Sequence, residues 1–241
     1  MLVDVHTHIT DEKFEEDRDE LIEKSKCSVI INNGISVKDN RDTLALAKKH
    51  KKVKAALGLH PYDIVKMSDD KIEKEIDFIS KQKIIAIGEI GLDFTYENKE
   101  KQIKYFKKFL EIAKGMDLPV ITHSRKAEKE LIDILEEMKM KKVVLHCFCG
   151  SKELALRAEK LGYYFSVPPR LLSSEQFQDL VQTISITKLL TETDAPYMGA
   201  KKGERNIPSN VEQTIKKIAE IKKMVEVEVK NSVFMNYQNL F

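Results

Sequence analysis

Eight times along the chain a short apolar or β-branched run is followed by a longer stretch whose apolar residues recur at helical spacing. No other feature narrows the fold so far. The runs are Leu2–His8, Cys27–Asn32, Val53–Leu59, Ile84–Glu89, Pro119–His123, Val143–His146, Tyr163–Val167 and Lys188–Thr193. Helices are predicted between them over Asp11–Lys26, Asn40–His50, Ser68–Lys81, Asn98–Gly115, Arg125–Met140, Lys152–Leu161 and Ser174–Thr183. Two more, Asn210–Met224 and Val227–Phe241, close the chain. Strands that read as unbroken apolar runs are those covered on both faces of a parallel sheet. Eight of them joined by helical crossovers predict a TIM (β/α)8 barrel, an α/β fold that commonly forms one domain at a length near 241 residues. No linker-like tract divides the chain, so residues 1–241 are expected to be a single domain.

Composition limits the partners. Charged residues make up 33% of the chain and the net charge is only +2, which suits a well-solvated surface without the strong field of a general polyanion binder. The longest apolar runs are strand-sized, far below the about 20 residues that cross a bilayer, so no membrane partner is expected. Three cysteines, Cys27, Cys147 and Cys149, make no disulfide framework. With no secretory signal at the N-terminus, a reducing cytoplasm is the expected location, and a monomer the expected state.

The polar residues fall at revealing places. Catalytic groups of a (β/α)8 barrel sit at the C-terminal ends of the strands. His6 and His8 share a strand face at the end of the first run, His60 ends the third, Glu89 the fourth, His123 the fifth, His146 the sixth and Asp194 the eighth. Only His50 of the six histidines lies elsewhere. Each has a duller reading when taken alone: a hydrogen-bonded core histidine, a capping acid, an Asx turn before Ala195-Pro196. Together on one rim, four imidazoles and two carboxylates without a cation would leave poorly compensated buried polar groups. They exceed what one tetrahedral ion accepts and suit two divalent cations sharing a carboxylate. The expected assignment is His6, His8 and Asp194 on one ion, His123 and His146 on the other, and Glu89 bridging. Such a pair, about 3.5–4 Å apart, activates water, which makes the chain a hydrolase.

The same residues lie in longer motifs. Val3-Asp4-Val5-His6-Thr7-His8, Gly58-Leu59-His60-Pro61, Ile87-Gly88-Glu89-Ile90-Gly91-Leu92-Asp93, Pro119-Val120-Ile121-Thr122-His123-Ser124-Arg125, His146-Cys147-Phe148-Cys149-Gly150 and Glu192-Thr193-Asp194-Ala195-Pro196-Tyr197, in this order, resemble the TatD family of metal-dependent deoxyribonucleases. The resemblance runs from the first residues to Asn239-Leu240-Phe241. It implies a barrel hydrolase that cleaves DNA phosphodiesters, often from the 3′ end, with His6, His8, Glu89, His123, His146 and Asp194 as metal ligands. The chain departs from the family pattern in having Arg205-Asn206-Ile207-Pro208 where a glutamate usually precedes the proline, and Cys149 where a serine is usual.

For a phosphodiester, Asp194 and Glu89 are the expected catalytic carboxylates, Asp194 taking the proton of the attacking water. His60, Arg125 and Arg205 are expected to bind substrate phosphate, and Arg170, Lys201, Lys202 and Arg205, in or near late strand-helix loops, to line a groove that tracks the nucleic-acid backbone. Asp4 and Asp93 are placed to orient ligand imidazoles. The metal could be Mg, Mn, Zn or a similar divalent cation. Two alternatives stay open: the same centre acting on a small amide, ester or lactone, and a non-catalytic scaffold holding a structural metal.

Overall fold

The computed structural model describes residues 1–241. Eight parallel strands follow one another around the barrel in sequence order: β1 (Leu2–Thr7), β2 (Cys27–Asn33), β3 (Val53–Leu57), β4 (Ala86–Asp93), β5 (Val120–Arg125), β6 (Val143–His146), β7 (Tyr164–Val167) and β8 (Leu189–Thr191). Bonds at the end of β8 bring it against β1 and nearly close the ring. Thr191 Oγ1 donates to the Val3 carbonyl at 2.6 Å, and the Asp194 amide donates to the His6 carbonyl at 2.8 Å.

Ten helices cover the barrel: α1 (Arg18–Lys24), α2 (Val37–Lys49), α3 (Pro61–Lys66), α4 (Asp69–Ser80), α5 (Lys99–Gly115), α6 (Glu128–Glu137), α7 (Lys152–Lys160), α8 (Glu175–Thr183), α9 (Val211–Lys222) and α10 (Glu226–Leu240). Each buries the stripe its sequence spacing sets. On α5 the stripe is Tyr105, Phe106, Phe109, Leu110 and Ala113, and on α6 it is Leu131, Ile132, Ile134 and Leu135. These side chains join those of the strands in one continuous core. No helix is long and apolar enough to cross a membrane.

Several expected boundaries are corrected. The predicted helix from Asp11 to Lys26 is a 3-10 turn over Glu12–Phe14 followed by the short α1. Asp11 caps that turn by accepting from the Lys13 amide, and Arg18 holds the preceding loop by donating to the carbonyls of Ile9, Thr10 and Asp11. His60-Pro61 does more than stop β3. Proline is preorganised for a first helical position, and His60 Nδ1 accepts from the Tyr62 amide at 3.2 Å, so the pair starts α3. Strand β4 runs four residues past Glu89, which therefore does not end it. Its register against β5 shifts between Ile87 and Ile90, around the Gly88–Glu89 peptide. Finally, β8 stops at Thr191, so Asp194 lies beyond the strand in a left-handed turn with φ 53°.

Candidate metal centre

β1 and the residue that follows it deliver two imidazoles to one point, because alternate residues of an extended chain face the same side. His6 Nε2 and His8 Nε2 stand 3.1 Å apart. Two imidazole nitrogens at that distance can share at most one proton, whereas a cation satisfies both. Asp194 Oδ1 lies 3.5 Å from His6 Nε2 and 3.3 Å from His8 Nε2. The three donors group tightly enough to hold one ion.

Glu89 divides its two oxygens between the histidines. Oε2 lies 3.5 Å from His6 and 3.4 Å from His8, while Oε1 lies 3.0 Å from His123 Nδ1 and 4.0 Å from His146 Nε2. Close backbone packing fixes this carboxylate. A Cβ on Gly58 would lie 2.4 Å from the Glu89 carbonyl oxygen, and one on Gly88 would lie 2.8 Å from the Ile121 Cβ. Only glycine admits β3 and β5 so near to β4 there.

Hydrogen bonds orient the rings from behind. His8 Nδ1 bonds the Asn33 carbonyl at 2.9 Å, and His123 Nε2 meets Asp93 Oδ2 at 3.4 Å. Asp93 is thus the orienting carboxylate expected of it. Asp4 is not: its carboxylate accepts from the Thr193 amide at 2.9 Å, from the Thr193 hydroxyl and from the His6 amide, so it ties β1 to the segment carrying Asp194 and touches no imidazole. Glu192 does the work that Asp4 was assigned. Its carboxylate accepts from His146 Nδ1 at 2.8 Å, from the Cys147 amide at 3.0 Å and from the Ser166 hydroxyl, and it is wholly buried. The sequence reading missed Glu192, although an acid in an otherwise apolar strand segment, two residues from Asp194, was a signal.

Charge in the cluster is strongly coupled. Burial opposes ionisation of Glu89, but His6, His123 and His8 outweigh it and hold its carboxyl well below the usual range. Asp194 is depressed in the same way by His6 and His8 against its own burial. Burial also opposes protonation of His123 and His146. The carboxylates of Asp93 and Glu89 nevertheless hold His123 up at about 9, and that of Glu192 holds His146 up at about 8. His6 goes the other way, lowered by burial and by His146, whose ring stacks on it with centroids 3.7 Å apart. Anionic carboxylates facing a crowd of imidazoles that cannot all be protonated are a donor set built for cations.

The remaining expected residues lie around this centre. His60 packs edge-on to His123, with ring centroids 4.5 Å apart, and its donor atom groups with those of Glu89 and His123. Arg125 is the last residue of β5, exposed at the mouth, with no carboxylate or hydrogen-bond partner for its guanidinium. Arg205 is engaged: it donates to the Lys13 carbonyl at 2.7 Å and grips Asp17 with both Nη atoms at 3.0 and 2.5 Å. Ile207, in the place of the usual family glutamate, packs against the core, and the neighbouring Asn206 donates to the Thr193 carbonyl at 2.7 Å.

A (β/α)8 barrel with imidazoles and carboxylates converging at the C-terminal mouth defines the class, that of the metal-dependent hydrolases. The particular family follows from the whole chain. Residues 3–241 match the family described as TatD related DNase, and the chain belongs to it. An uncharacterized metal-dependent hydrolase of Methanocaldococcus jannaschii is 37% identical over 99% of this chain and 96% of its own length. The human protein named deoxyribonuclease TATDN3 is 32% identical, covering 100% of this chain and 94% of that protein. Among solved structures, YJJV, a TatD homolog from Escherichia coli K12, superposes with a TM-score of 0.93 at 29% identity, over 100% of this chain and 97% of that one.

Proposed function

We propose that the chain is a two-metal deoxyribonuclease that hydrolyses phosphodiester bonds of single-stranded DNA or DNA 3′ ends. The observation that carries this reading is the division of Glu89, one oxygen turned to the His6–His8 pair and the other to His123 and His146. His6, His8 and Asp194 would hold one cation, His123 and His146 the other, with Glu89 between. Two divalent cations, Mg, Mn or Zn, would supply Lewis acidity towards the phosphate and a water of lowered pKa.

The rest of the chemistry falls to the protein's own groups. Asp194 Oδ1 faces the histidines, which leaves Oδ2, without a hydrogen-bond partner, to take the proton of the attacking water. Glu89 fixes the separation of the two halves of the centre. With its Nδ1 accepting from the Tyr62 amide, a neutral His60 carries its proton on Nε2, where it donates to a phosphate oxygen. Arg125 offers its free planar fork to the same phosphate or the next. The aromatic rim supports a nucleic-acid substrate over a small amide, ester or lactone. Tyr62 and Tyr96 pack together with centroids 5.4 Å apart beside His60, and Tyr197, 48% exposed, stands on the β8 side.

The test is cleavage of an end-labelled single-stranded oligodeoxynucleotide by the Mg- or Mn-loaded protein. The expected result is shortening of the strand, lowered at least about 100-fold by Glu89→Ala. An intact strand with every divalent metal would overturn the reading.

A further inference from the structure

The structure has a second feature at the mouth that the metal centre does not use. Four of the six arginines are spoken for: Arg18 by loop carbonyls, Arg41 by Glu75, Arg157 by Asp133 and Glu136, and Arg205 by Asp17. The two whose guanidinium groups have no partner are Arg125, closing β5, and Arg170, just beyond β7. An arginine without a carboxylate in a chain so rich in acids is a free anion receptor.

Arg170 is not on open surface. Its amide donates to the Met198 carbonyl at 2.9 Å, and its side chain lines a cavity of about 390 Å³ shared with Lys13, Pro196, Tyr197, Glu204 and Arg205. That volume lies within the range of small-ligand sites, about 300–1,000 Å³. The cavity adjoins the metal centre through the backbone, since the Tyr197 amide donates to the Asp194 carbonyl at 2.8 Å. The Tyr197 ring is anchored at its hydroxyl and carries a cation over one face. Its hydroxyl donates to Asp11 Oδ2 at 3.1 Å, and Lys13 Nζ sits 4.7 Å from the ring centroid. Arg205 is neutralised by Asp17, so Arg170 and Lys13 are the available cations, set against the single carboxylate of Glu204.

We propose that this cavity is a nucleotide subsite, in which Arg170 and Lys13 bind a backbone phosphate of the strand and Tyr197 stacks the neighbouring base. The proposal rests on the phosphodiester reading of the metal centre and deepens it by assigning the residues that grip the strand where it extends past the β8 side of the mouth. Phosphate contact and base stacking answer differently to salt: each backbone phosphate neutralised on a single strand contributes about 0.7 to the slope of log K against log salt, and stacking contributes nothing ionic.

The experiment measures binding of a fluorescein-labelled ten-residue oligothymidylate with phosphorothioate linkages to the Mn-loaded protein across a salt series. Arg170→Ala is expected to weaken binding about 10-fold and lower the slope by about 0.7, with Arg170→Lys restoring most of the slope. Tyr197→Leu should weaken binding about 10-fold at the wild-type slope, and Tyr197→Phe should keep most of the affinity. Wild-type affinity and slope in Arg170→Ala, or no binding by the wild type, would overturn the subsite. Cleavage of the unmodified strand is scored separately. Binding with the expected slopes but no cutting sustains the subsite while refuting the nuclease reading, and cutting with unaltered Arg170→Ala binding does the reverse.

Discussion

Glu192 shows how much of the site is decided one bond behind the ligands. Its carboxylate fixes the His146 ring by accepting a hydrogen bond from Nδ1, which leaves Nε2 for the cluster. Glu192→Gln is therefore expected to weaken metal binding about 10- to 100-fold with little change in the fold, read by calorimetric metal titration of the chelator-stripped protein. The proton balance of the same rings sets a pH dependence. His146 and His123 are held up at about 8 and about 9, so in the metal-free protein both are protonated near neutrality and each would have to shed a proton to bind a cation. Metal affinity should rise as pH is raised through about 8 to 9. Stability of the metal-free protein should run the other way. A histidine whose folded value lies above its unfolded value of about 6.5 contributes stability that is full below that pH and lost as pH rises through the folded value. Melting with and without chelator from pH 6 to 9 should show the metal-free Tm falling while the gain from metal grows. Parallel curves would contradict the assignment of these rings as ligands.

At the scale of elements, β4 and β5 carry the centre between them. Their register places Gly91 opposite His123, and a Cβ at Gly91 would lie 2.0 Å from the His123 carbonyl oxygen. Gly91→Ala is expected to push the strands apart where Glu89 and His123 must meet, lowering both Tm and metal affinity. A variant with normal metal affinity would show that the close approach is not needed. Helix α5 covers the same strand from outside. Phe106 is 2% exposed there, and Phe106→Ala should cost about 3–5 kcal/mol in denaturant unfolding while leaving metal stoichiometry intact. These elements also mark what a sequence can and cannot tell. The stripe of α5 was legible because tertiary packing followed its helical period. The length of β4 was not, because Ile90 to Asp93 continue a strand that a glycine-rich, acid-bearing segment gives no reason to extend. The turn at Glu12–Phe14 and the short α3 are different: their caps, Asp11 and His60, lie two residues from the amides they accept from, a local signal that the longer helical spacing around them obscured.

For the whole molecule, the eightfold alternation carried both the fold and the site. Once the strands were set in a barrel, their C-terminal ends had to share one mouth, so His6, His8, His123 and His146 were gathered by topology alone. Asp194 was legible from its motif although it stands beyond β8, because the left-handed turn returns it towards His6 and His8. Arg205 was expected at the substrate; its guanidinium is tied to Asp17, a partner 188 residues away that no local pattern discloses, while the residue lines the cavity beside Tyr197. The central claim is a pair of cations astride Glu89, and anomalous diffraction from Mn-soaked crystals tests it most directly. The account predicts two peaks, one by His6, His8 and Asp194 on the Oε2 side and one by His123 and His146 on the Oε1 side. A single peak, or two that do not share Glu89, would contradict it.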